Sequence, residues 1–131
     1  MSYRLLGWIN AIALIILVSP FALSFMNKKI FSNKNNQIRN LVKFTRKFHK
    51  PLGIILIVTG IAHGYMALGS IRLHTGSILY ISTLLTGALG GSFYRTKKRA
   101  FFIWHKRMAF VSVALLLLHL VFPSALFYLL N

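Results

Sequence analysis

Histidine is the strong metal ligand available to this sequence, whose 131 residues include five His and no Cys, Asp or Glu. The missing carboxylates exclude carboxylate acid–base hydrolysis and carboxylate metal sites. The missing thiols exclude disulfides, thiolate zinc sites, iron–sulfur clusters and thiol-linked haem, and leave the redox compartment undetermined. Four of the histidines fall in a repeated pattern. Phe48-His49-Lys50-Pro51-Leu52-Gly53 recurs in outline as Trp104-His105-Lys106-Arg107-Met108-Ala109, and each copy has a second histidine 14 residues after its first, His63 and His119. On an α-helix 14 residues advance about 21 Å and return to within about 40° of the starting direction, so both histidines of a copy share one face. Where two such helices run the same way, His49 lies level with His105 and His63 with His119. Two imidazoles facing each other at one level are what a low-spin haem iron takes as axial ligands, and helix bundles commonly build cofactor sites from facing helices. The spacing therefore predicts two non-covalent b-type haems, one held by His49 and His105 and the other by His63 and His119.

A porphyrin also needs room, and small residues interrupt both stripes: His49, Gly53, Leu56, Gly60, His63 on one helix and His105, Ala109, Ser112, Leu116, His119 on the other. Gly53 and Gly60 are expected to leave space beside the ligands. Close helix packing explains such residues without a cofactor, and hydrogen-bonded or interfacial imidazoles are the bland account of the histidines. Four ionisable groups arranged as two level pairs inside a membrane are poorly explained that way. Each haem would bring two propionates to a chain that has no side-chain carboxylate of its own. Arg46, Lys47, Lys50, Lys106 and Arg107 at one level and Arg72 at the other are placed to pair with them, although the topology of basic loops alone explains most of the cations. His74 stands about level with His63 and His119, and its role stays open between a headgroup position, a propionate or quinone contact, and an alternative ligand. Met66 and Met108 read as packing residues.

These residues have to be positioned by elements that lipid surrounds. Hydrophobic residues make up 56% of the chain and its mean hydropathy is +0.68, which is too apolar for an ordinary soluble domain. A bilayer core needs roughly 20 apolar residues per helix, and the sequence supplies an all-α, integral membrane four-helix bundle in one domain, with spans near 5–26, 44–68, 73–94 and 101–130. In this bundle the two haems lie between the second and fourth helices. Asn27 to Asn40 reads as a polar loop and Gly69-Ser70 as a tight turn. Pro51 suits a helix's first turn, which leaves open whether His49 precedes the regular helix. Ser19-Pro20 marks a kink in the first span. Ala22-Leu23-Ser24 loosely resembles a signal cleavage site, but the basic stretch that follows favours retention of the first span. Of the 16 Lys and Arg, 14 lie between Lys28 and Lys50 or between Arg95 and Arg107, with Arg4 and Arg72 at the opposite helix ends. The charges flank apolar spans, which points to membrane lipid and away from nucleic acid. The positive-inside rule predicts a multi-pass cell-membrane protein with cytoplasmic basic loops and both termini outside.

From Lys43 to Phe122, and most closely in Trp104-His105-Lys106-Arg107 with its Leu-rich run to His119, the sequence resembles the membrane di-haem cytochromes b. The particular likeness is to the ferric reductase-like transmembrane domains, including the haem subunit of methionine sulfoxide reductase systems. The resemblance implies His49 and His105 as inner ligands and His63 and His119 as outer ones. It also implies electron transfer across the bilayer, from a cytosolic flavoprotein or menaquinol to an acceptor outside, with a redox partner protein or quinone as partner. The chain has fewer spans than that family usually has, and no dinucleotide-binding region. Two other functions fit the residues: a quinone-reactive haem anchor for separate catalytic subunits, and a haem-free structural or transport protein whose histidines conduct protons or bind a metal.

Overall fold

Long apolar runs in lipid have only their own backbone to satisfy their N–H and C=O groups, and helices do this within one segment. In the computed structural model, which describes residues 2–70 and 72–130, the chain forms α1 (Tyr3–Ile30), α2 (Asn36–Leu68), α3 (Thr75–Thr96), α4 (Arg99–Val121) and a short α5 (Ala125–Leu130). The first four are each long and apolar enough to cross a membrane. Burial is inverted relative to a water-soluble bundle. Ile12, Ile15, Ile54, Val58, Leu85 and Leu117 are exposed, while Ala11, Ala13, Leu14, Leu56 and Leu116 form a slender buried core. Such an exterior is compatible with contact with membrane lipid.

Local chemistry sets the ends. The Asn35 side chain caps α2 by accepting from the Ile38 N–H at 3.2 Å, and the Asn27 side chain accepts from the Asn35 N–H at 3.2 Å. The loop between α1 and α2 is therefore residues 31–35, much shorter than the polar stretch suggested. Gly69 ends α2 in the left-handed region at φ 64°. Pro20 has no N–H for the Ile16 carbonyl, and the Ser19 hydroxyl donates to that carbonyl instead at 2.6 Å. Pro51 does not open a helix: α2 begins 15 residues earlier, at Asn36, so His49 lies within regular helix. The fourth span ends short of the expected Leu130. Pro123 disfavours helical geometry at Phe122 (φ −130°, ψ 71°), so α4 stops at Val121 and α5 is a separate turn.

The helices pack as two hairpins. α1 lies along α2 and α3 along α4, whereas α2 touches α3 and α1 touches α4 over shorter stretches. α2 and α4 stand on the diagonal and barely meet. The Asn10 amide and the Thr59 hydroxyl hold the first hairpin, with Thr59 donating to Asn10 Oδ1 at 2.5 Å and Asn10 to the Thr59 carbonyl at 3.2 Å. Ser82 and Ser112 hold the second, oxygen to oxygen at 2.8 Å, with Ser112 fully buried. Interhelical polar contacts of this kind substitute for the hydrophobic drive that lipid removes.

Candidate functional site

The histidines meet across the diagonal that the two hairpins leave between them. His49 on α2 faces His105 on α4 with ring centroids 6.0 Å apart, and His63 faces His119 with centroids 6.5 Å apart. Matching at both levels requires α2 and α4 to run in the same direction. Between the levels, Leu56 and Leu116 pack in one core and Ser112 is fully buried, so the stripe from each first histidine to its second faces the bundle interior. Two imidazoles bound to opposite faces of one iron through metal–nitrogen bonds of about 2 Å have ring centroids about 6 Å apart. Both pairs match that separation. Among the described residues no group of three or more His, Cys, Asp or Glu is placed to hold a metal alone. Each level thus offers two opposed imidazoles at a separation that one metal ion between them would fit.

Protonation is set by the neighbouring helix of the same hairpin. The His63 Nδ1–H donates to the Tyr3 carbonyl at 2.8 Å, and the His105 Nδ1–H donates to the Thr86 carbonyl at 2.7 Å. A carbonyl can only accept, so each ring carries a proton on Nδ1, the tautomer that in a neutral imidazole leaves the lone pair on Nε2. His119 reaches the same state through Thr75. That hydroxyl gives its proton to the Pro123 carbonyl at 2.7 Å and so accepts from His119 Nδ1–H at 2.9 Å. The His49 ring is in hydrogen-bonding reach of the Leu17 backbone. Metal-binding histidines are ordinarily oriented by such a bond from the other ring nitrogen.

His74 differs. It caps α3, its Nδ1 accepting from the Gly76 N–H at 3.4 Å, which puts its proton on Nε2. Its ring lies 6.0 Å from that of His119, yet its tautomer is the reverse of the one shared by His63, His105 and His119.

A cavity of about 280 Å³ opens beside His63 and His119. Gly60 lines it, but the room expected there is taken by Tyr80, whose ring would lie 3.1 Å from a Cβ at Gly60 and whose hydroxyl donates to the Ile57 carbonyl at 3.1 Å. Gly53 borders open space. Arg4 lines the cavity, whereas Arg72, expected to serve this level, donates to the Ser70 hydroxyl at 2.9 Å. At the other end the cations lie on aromatic faces: Lys50 is 3.2 Å from the Tyr94 ring centre, Lys106 is 4.6 Å from Phe102 and Arg107 is 5.0 Å from Trp104. Arg46 is exposed one turn before His49, as is Lys47 beside it. Met66 is exposed on the surface of α2.

Sequence reasoning missed Tyr3, Arg4, Thr75 and Thr86. Two of these act through backbone carbonyls, which no residue type announces, and nothing in the spacing joined α1 or α3 to a particular histidine. Comparison of the chain with protein-family models, with curated proteins and with solved structures finds no match.

Proposed function

We propose that this chain carries single electrons across a membrane through two non-covalently held b-type haems, one between His49 and His105 and one between His63 and His119. The observation that supports this reading is the arrangement of four imidazoles as two opposed pairs, with Nδ1 of His63, His105 and His119 engaged so that Nε2 is free. When bound, the group supplies one-electron chemistry between ferrous and ferric iron. The residues of the chain do the remaining work. The histidines fix the two levels about 21 Å apart along the helices, and Tyr3, Thr75 and Thr86 fix the rings. Leu56 and Leu116 supply buried apolar surface between the levels. Arg4 at one level, and Lys50, Lys106 and Arg107 at the other, are the cations available to propionates.

The basic end is cytoplasmic in this proposal and both termini lie outside, following the positive-inside rule. Electrons enter from a cytosolic donor protein or quinol and leave at the end marked by His63 and His119. No general acid or base is needed, in agreement with a sequence that has no Asp or Glu. Expression in a haem-replete host, followed by absorption spectroscopy and a pyridine haemochrome assay, tests the reading. Two b-type haems per chain are expected, and a purified, folded chain without haem bands overturns it.

A further inference from the structure

We propose that Gly7 and Gly90 are positioning residues, each a seat that lets one imidazole reach a backbone carbonyl on the adjoining helix; the proposal rests on the functional reading above. His63 donates to the carbonyl of Tyr3, and Gly7 stands four residues later on α1. His105 donates to the carbonyl of Thr86, and Gly90 stands four residues later on α3. The same offset occurs in both hairpins for a geometric reason. A helical carbonyl points along the axis toward the N–H four residues on, and at these two carbonyls the arriving ring lies over the place where that residue's side chain would stand. A Cβ at Gly7 would lie 2.8 Å from His63 Cε1 and 3.3 Å from both ring nitrogens. A Cβ at Gly90 would lie 2.9 Å from His105 Cε1 and 2.9 Å from its Nδ1. Carbon atoms do not approach that closely, so any side chain at either position displaces the ring from its carbonyl.

The seats act through the histidines. A displaced ring loses the acceptor that holds its proton on Nδ1, and with it the preference that leaves Nε2 free. Each seat serves one ring, so the two substitutions have separate consequences. Gly64, next to His63 on α2, and Gly91, next to Gly90 on α3, provide controls, because a Cβ at either meets nothing within 4 Å.

The test is haem titration of Gly7→Ala, Gly90→Ala, Gly64→Ala and Gly91→Ala in the full-length protein, read by the low-spin absorption and electron paramagnetic resonance signals of each haem. Gly7→Ala should weaken haem binding at the His63 level about 10- to 100-fold, the range seen when a ligand's hydrogen-bond partner is lost, and convert what binds there from low to high spin. Gly90→Ala should do the same at the His105 level. Each variant should keep the other haem, which also shows that it folds, and the two controls should match the parent. Retention of both low-spin haems at parental affinity in Gly7→Ala and Gly90→Ala overturns the proposal, and so does loss of both haems from either. Should the parent protein bind no haem, the functional reading fails by itself. Nitrogen-15 spectra of the haem-free chain then decide the seat: a His63 Nδ1–H signal present in the parent and absent in Gly7→Ala upholds it, and an unchanged signal refutes it.

Discussion

The two histidine pairs are built alike but held differently. At the level of His63 and His119 both rings are pinned, one to the Tyr3 carbonyl at 2.8 Å and one to the Thr75 hydroxyl at 2.9 Å. Both also lie against glycines, since a Cβ at Gly76 would come within 3.1 Å of His119 much as one at Gly7 would crowd His63. At the other level His105 has its carbonyl and its glycine. His49 has the Leu17 backbone in reach, but the residue four positions after Leu17 is Phe21, whose ring packs edge-on against Phe110 at 5.1 Å. Of the four rings, His49 alone has no glycine beside it. It lies at the basic end, where Lys50 and Lys106 are also drawn onto aromatic faces. The contrast teaches that a sequence repeat can reproduce histidine spacing while leaving the restraint on each ring unequal.

Substituting the ligands breaks the comparison most severely. His63→Ala should halve the haem content by emptying its own level alone, and His49→Ala should empty the other; a variant that keeps two six-coordinate haems defeats the pairing. Thr75→Val comes next. It removes the acceptor for His119 and leaves the Pro123 carbonyl without its donor, so affinity at that level should fall about tenfold or more, while the His49 level is unchanged in a haem titration. Ser112→Ala acts between the levels. It strands the Ser82 hydroxyl in a buried setting and should cost about 1 kcal/mol in thermal unfolding in detergent, with both haems retained. The smallest effect on the sites is expected from His74→Ala. Loss of the α3 cap should lower stability by about 1 kcal/mol, and spectra showing full haem content would separate this capping histidine from the ligating ones.

Much of this architecture was legible because periodicity is a property of the residues themselves. Apolar runs gave the helices, and a 14-residue interval returned each second histidine to the face of the first, which is why His49 meets His105 and His63 meets His119. What could not be read depended on contacts between distant segments or on the backbone. Pro51 looked like a helix start because proline is tolerated there, yet the Asn35 cap began α2 well upstream. Pro123 carried a stop signal within an otherwise apolar run, and composition hid it. Gly60 suggested empty space, but only the packing of α3 against α2 could reveal that Tyr80 fills it. Arg72 was chosen by depth along the chain, whereas Arg4 owes its place beside the cavity to α1 lying along α2. The orienting carbonyls of Tyr3 and Thr86 had no residue type to betray them; the glycine four positions later was the trace each left.

The hairpins have a consequence for assembly. His63 takes its hydrogen-bond partner from α1, and His105 and His119 take theirs from α3, so each half of the protein orients its own imidazoles. Contact between the halves is sparse by comparison. A flat molecule gripped from both sides would then work as a clasp between two prefabricated leaves. On the proposed reading, that clasp would tie the leaves together across the seam where Leu56 and Leu116 already meet.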